Sequence, residues 1–189
     1  MKGKRLFQTM RLCTIRSPQK RAEYLKNVFY SVGDNCTIMD RKVPLYPELI
    51  SIGNNVHIAS HVYLTTHDIT HRMINNYLKT NDVNHRVSET IGCIRIGDNV
   101  FIGSGTRVLG NVNIGSNVII GASALVNKDI PDNSVVAGVP ARVISSFDDY
   151  INKRLANNTV TSFGGVKTSE KRMQSFIGIY STGIEIARV

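Results

Sequence analysis

The groups in this 189-residue chain best able to move a proton near neutral pH are crowded into one stretch: histidines stand at 57, 61, 67, 71 and 85. Such a cluster can hold a metal or supply a general base. Covalent catalysis has no support, because the chain holds no G-x-x-x-x-G-K-[ST] loop, no G-x-S-x-G elbow and no convincing Ser/His/Asp set. Cys13, Cys36 and Cys93 are odd in number and far apart, without C-x-x-C spacing. They fit neither a disulfide framework nor a zinc knuckle and read as reduced, mostly structural thiols.

A sixfold rhythm positions these histidines. Aliphatic residues fall at Ile96, Ile102, Val108, Ile114, Ile120 and Val126, most of them followed by Gly or another small residue. That period suits neither a helix nor an ordinary strand; it is the hexapeptide repeat of a parallel β-helix, three hexapeptides making a triangular coil of about 18 residues. The register begins at Val32 and Ile38, passes a stretch, Pro44-Leu45-Tyr46-Pro47, that adds about two residues, and resumes at Ile52, Ile58 and Leu64. Coils are therefore expected near 32–51, 52–69, 96–113 and 114–131, with a partial last coil to about 144. The aliphatic positions and the valines four places on (Val56, Val62, Val100, Val112, Val118) should face inward, with Gly and Asn at corners of positive φ.

Between Leu64 and Ile96 the rhythm is suspended, and about 26 residues, near 70–95, leave the coil and return. Their composition is polar and aperiodic, and a long loop of this kind is usually functional or disordered; following a His-rich segment favours function. In this frame His61 and His67 occupy equivalent fourth positions, His57 a sixth, and His71 and His85 the excursion. Three imidazoles could then converge on one metal only with help from another chain, so no metal is expected. Structural or exposed roles are the default for His57, His61 and His85.

His67 differs because it ends the run Val62-Tyr63-Leu64-Thr65-Thr66-His67-Asp68, where rigid coil gives way to the excursion. An imidazole held there can take a proton from an alcohol or amine as a general base. Asp68 is adjacent, but neighbours on a strand point to opposite sides, so an orienting partner from elsewhere is as good a candidate. Asp40, Asp68, His71 and His85 are the polar side chains available to shape an acceptor pocket.

The flanks read as caps. Ser17-Pro18 opens a helix to about Phe29, within a basic helical cap at 1–31; Ser145 begins an N-capped helix expected to cover the coil's other end, within 145–189. The apolar stretch at 176–186 has no evident place. Residues 1–31 carry eight Lys/Arg against one acid, whereas 32–144 carry nine of each. This argues against nucleic-acid binding by the coil; the basic N-terminus reads first as a solvated helix, with peripheral contact with a membrane or anionic glycan as the alternative. No apolar run could span a bilayer or serve as a signal peptide, which points to the cytoplasm.

The segment IGDNVFIGSGTRVLGNVNIGSNVIIGASALVNKDIPDNSVVAGVPARVI, with its N-K-D-I-P and A-G-V-P-A-R-V-I signatures and the T-H-D ahead of the excursion, resembles the left-handed β-helix acyltransferases. The likeness is to the galactoside/maltose and capsular polysaccharide O-acetyltransferases, covers about 32–144 and is strongest from 91 to 144. It implies an all-β, left-handed parallel β-helix with short terminal helices, a homotrimer with active sites between neighbouring coils, and acetyl-CoA as co-substrate. By position, His67 matches the catalytic base and Ser104 a backbone N–H that contacts the donor and stabilises the oxyanion. Phe101, Gly103, Ala122, Asn127, Lys128 and Arg142 match the donor lane. Phe101 replaces a common Trp, and Asp68-Ile69-Thr70-His71 replaces the family's G-H-P-V-H, which argues against simple galactosides or maltose as acceptors.

The sequence therefore points to an acetyl-CoA-dependent O-acetyltransferase acting on a sugar of a surface polysaccharide or its precursor, with direct transfer assisted by His67. The alternatives are N-acetylation of an amino sugar, a zinc β-helix hydratase of the carbonic anhydrase kind, and a non-catalytic scaffold.

Overall fold

The structure, a computed structural model, describes residues 2–81 and 83–158. Sixfold spacing of aliphatic residues makes short strands divided by tight corners, and each strand pairs with the one stacked on it in the next coil. Three parallel sheets result. The first face stacks Ser31–Val32, Ile50–Ile52, Ile94–Ile96 and Val112–Ile114. Thr37–Ile38, Val56–Ile58, Val100–Ile102, Val118–Ile120 and Ser134–Ala137 form the second, and Tyr63–Thr65, Arg107–Leu109 and Leu125–Val126 the third.

One corner carries an asparagine ladder that measures the coils. Asn35 donates to Asn55, Asn55 to Asn99, Asn99 to Asn117 and Asn117 to Asn133, each amide to the next carbonyl oxygen at 2.8–2.9 Å. The steps are 20, 44, 18 and 16 residues. Relative to the plain 18-residue coil, the first step holds the two residues added near the prolines and the second holds the 26-residue excursion. All five asparagines are left-handed, with φ of 54–56°. The glycines that precede them serve a different purpose from the one expected: Gly33, Gly53, Gly97 and Gly115 are not at positive φ but allow coils to touch. A Cβ on Gly97 would lie 2.8 Å from the Gly115 carbonyl carbon.

Inside, Val56, Ile58, Ile96, Ile102, Val108, Ile114, Ile120 and Val126 belong to one buried core. Helices α1 (Lys2–Thr14) and α2 (Pro18–Leu25) precede its first coil. Ser17 caps α2, its hydroxyl accepting from the Lys20 N–H at 3.3 Å, and Pro18 occupies the first turn. The helix ends at Leu25, short of the expected Phe29, and residues 26–28 continue as a turn in which the Val28 and Phe29 N–H groups both donate to the Leu25 carbonyl. Ala22, Leu25 and Phe29 join the core beside Val32, Cys36 and Ile38.

Arg21 is only 2% exposed and donates to the carbonyls of Ile38 (2.8 Å), Ile15 (2.8 Å) and Arg16 (2.9 Å). It thereby satisfies acceptors on the first coil and on the α1–α2 connection, which burial would otherwise leave costly. At the far end, Arg142–Ser146 folds back antiparallel on Ser134–Ala137 and covers the outermost rung of the second face.

The excursion is not aperiodic as expected but contains helix α3 (Thr70–Thr80). Met73, Ile74, Tyr77 and Leu78 have helical spacing, but Met73 and Tyr77 remain exposed. At the neck, His67–Asp68 pairs antiparallel with Thr90–Ile91. Helix α4 (Phe147–Asn158) is capped by Ser146 rather than Ser145, the hydroxyl accepting from the Asp149 N–H at 3.1 Å. The chain divides into two units after Ile151, and the apolar stretch at 176–186 lies outside the described residues. Cys13 and Cys93 are exposed free thiols and Cys36 a buried one. Among the described residues no helix is long and apolar enough to cross a membrane.

Candidate active site

His67 sits half-buried at the neck of the excursion, paired with Ile91. Its strand is clamped on both sides. The buried Thr66 hydroxyl donates to the Leu45 carbonyl, and the Thr66 carbonyl accepts from the Gly92 N–H at 2.8 Å. Next to Leu45, Tyr46 is left-handed, with φ 50° and ψ 56°. This conformation costs a bulky residue about 1–3 kcal/mol and persists only where surroundings enforce it. Here the Tyr46 ring meets the His67 imidazole edge-on, centroids 6.0 Å apart at 73°, and its hydroxyl donates to Glu89 Oε2 at 2.8 Å. That hydrogen bond, with burial and the Glu89 charge behind it, holds the Tyr46 phenol above its ordinary pKa.

The His67 Nδ1 atom is buried with no hydrogen-bond partner among the described residues, and so is His71 Nδ1. Beside His67 opens a cavity of about 490 Å³, within the range of small-molecule sites. Asp40, His61, Tyr63 and Thr65 line it together with His67, and so do the core side chains Leu12, Leu25, Phe29, Ile38, Val43 and Ile58, so the polar groups stand at one side of a largely apolar wall. Both Asp40 oxygens close the left-handed turn at His61, accepting from the His61 and Val62 N–H groups at 2.9 Å. A carboxylate retains further lone pairs for a ligand hydroxyl.

Of the four acceptor-pocket candidates, Asp40 lines this cavity. Asp68 is exposed and accepts from the Thr70 N–H at 2.6 Å, so it shapes the start of α3. His71 lies in the first turn of α3, and His85 is exposed on the returning arm; neither lines the cavity. His57 is held by Thr37 Oγ1 at 2.8 Å and Asn55 Oδ1 at 3.2 Å. Among the described residues, no three His, Cys, Asp or Glu side chains form a metal-holding group. Tyr46 and Glu89 lie in the two stretches that the sequence offers for shaping the pocket, 40–46 and 70–95, but neither is singled out there. The flanking Pro44 and Pro47 mark an irregular turn at Tyr46, whereas nothing local singles out Glu89.

Phe101, Gly103, Ser104 and Ala122 come together where the second face turns into the third. Gly103 N–H donates to the Ile120 carbonyl and Ser123 N–H to the Ser104 carbonyl, both at 2.8 Å. A Cβ on Gly103 would stand 2.5 Å from the Ala122 nitrogen, so this corner requires glycine. Phe101, Ser104 and Ala122 are exposed, as are Asn127 and Lys128 beyond the next strand and Arg142 where the chain folds back. The Ala141 N–H donates to the Leu125 carbonyl at 2.8 Å, which holds Arg142 close to that end of the strip. His67 lies past the third face, at a different corner from Ser104. A three-residue strand, roughly 10 Å, thus intervenes within one chain.

Stacked hexapeptide coils bearing such a strip define the class, and residues 93–128 match the family described as bacterial transferase hexapeptide (six repeats). The chain belongs to this family, among its acetyltransferases. It is 36% identical over 140 residues to Protein CapG of Staphylococcus aureus, covering 72% of this chain and 77% of that protein. It is 33% identical over 174 residues to the galactoside O-acetyltransferase of Escherichia coli (strain K12), covering 79% of each. A solved galactoside acetyltransferase in complex with coenzyme A matches with TM-score 0.54 and 28% identity, over 80% of this chain and 84% of that one.

Proposed function

We propose that the protein transfers an acetyl group from acetyl-CoA directly to a hydroxyl of a sugar in a surface polysaccharide or its precursor, with His67 as the base. The observation that carries this reading is the placement of His67, clamped at the neck and facing a cavity of about 490 Å³. Relatives named galactoside O-acetyltransferase support a sugar hydroxyl as the acceptor group, and a similar structure containing coenzyme A supports the donor. The strip fits such a donor: Gly103 and Ala122 give clearance for a thin chain, and Lys128 and Arg142 offer exposed cations to its phosphates.

His67 Nδ1 is buried, so Nε2 is assigned as the reacting atom. His67 takes the hydroxyl proton as the sugar oxygen attacks the thioester carbonyl. The Ser104 N–H stabilises the oxyanion that forms, an effect of about 3 kcal/mol in comparable sites. As the tetrahedral adduct collapses, His67 returns the proton to the departing thiolate, leaving an acetyl ester and a thiol. Phe101 walls the lane, and Asn127 extends it.

Because His67 and Ser104 belong to different corners, we propose that the strip of one chain meets His67 of a neighbour in a homotrimer of left-handed coils. In this reading residues 1–31 cap a catalytic domain at 32–144, no metal takes part, and the reaction uses cytoplasmic acetyl-CoA. The test is incubation with labelled acetyl-CoA and the host's glycan intermediates. Acetyl esters on one class of intermediate are expected; absence of acetyl-CoA binding in isothermal titration would end the reading.

A further inference from the structure

The cavity beside His67 does not stop at the acceptor pocket. Arg5 and Leu45 line it and also line a second cavity of about 260 Å³, so the two adjoin across the 44–48 turn. The second wall is cationic and rich in donors: Lys4, Arg5, Gln8 and Asn27 face one carboxylate, Glu48. Lys4 and Arg5 belong to the first turn of α1, which contains no acid and whose dipole adds positive potential. Among the described residues neither cation has an ion-pair partner, and Glu23, the only acid before residue 32, is taken by Lys26 at 3.2 Å. Two unpaired cations on a cavity wall adjoining a sugar-sized pocket suit a ligand that is neutral at one end and anionic at the other.

We propose that the second cavity binds a phosphate or diphosphate attached to the acceptor sugar, so that the enzyme acetylates a phosphate-linked precursor in preference to a free sugar. This rests on the reading of the first cavity as the acceptor pocket. The sugar lies against Asp40 and His67 while its anionic tail reaches Arg5 and Lys4.

Isothermal titration of the full chain, with CoA present, tests the inference without requiring turnover. The probes are glucose, galactose and N-acetylglucosamine, each compared with its UDP conjugate and its short-chain polyprenyl diphosphate. At least one conjugate is expected to bind tenfold or more tightly than its free sugar, and the nucleotide and lipid arms distinguish the two sources of the phosphate. Lys4→Gln/Arg5→Gln should remove that advantage with unchanged affinity for CoA and an unchanged melting temperature, while Glu48→Gln should increase it. Equal binding of free and conjugated sugars, or an advantage that survives the double substitution, overturns the inference. Acetylation of free sugars alone would overturn it and leave the proposed reaction standing; conjugate binding lost in the double variant but without acetylation would uphold this site and sink that reaction.

Discussion

The Tyr46 hydroxyl donates to Glu89 Oε2 at 2.8 Å while the same ring meets His67 edge-on. One side chain thus joins the irregular turn of the first coil, the returning arm of the excursion and the proposed base. Tyr46→Phe keeps the ring and removes the bond. It should lower kcat/KM by roughly tenfold and lower stability measurably, leaving acetyl-CoA affinity unchanged. Steady-state kinetics and urea denaturation check both effects.

The same contact has a pH signature. The folded phenol titrates above its unfolded value, so the proton is held more tightly in the native state. The resulting stability is complete below the ordinary phenol pKa of about 10 and is lost as pH rises through the raised folded value. Wild type should therefore lose stability more steeply than Tyr46→Phe in that alkaline window, as measured by melting temperature against pH.

Arg21 makes the N-terminal connection and the first coil into one unit through three carbonyls. Arg21→Met fills similar space and leaves those acceptors unpaired. A loss of about 2–4 kcal/mol in urea denaturation is expected, with the spectrum of the folded coil retained at low denaturant.

Within the ladder, Asn117 accepts from Asn99 and donates to Asn133 from a left-handed backbone at φ 56°. Asn117→Gly should cost about 1–2 kcal/mol for two lost hydrogen bonds, and Asn117→Ala about 1 kcal/mol more for strain at positive φ. Equal destabilisation of the pair would show that conformation contributes nothing at this corner.

The repeat was legible because burial imposes it: each aliphatic position fills the same place in successive coils, so even the two-residue insertion and the 26-residue excursion could be located by counting. Helix α3 was legible only in the spacing of Met73, Ile74, Tyr77 and Leu78, which the many polar residues around them outweigh. The place of His67 at the neck of the excursion could be read because it stands where the rhythm breaks. Tyr46 and Glu89 could not, because their contact spans 43 residues and depends on the path of the excursion. The cause of glycine was legible in part: Gly105 and Gly138 stand at positive φ, 75° and 96°, whereas Gly97 serves close stacking.

The central claim is that His67 supplies the base for acetyl transfer. The most direct measurement is turnover by His67→Ala with labelled acetyl-CoA and the preferred acceptor, alongside titration of acetyl-CoA binding. A fall in kcat of roughly 100-fold or more, with acetyl-CoA affinity nearly unchanged, is predicted. Turnover equal to that of wild type would contradict the account.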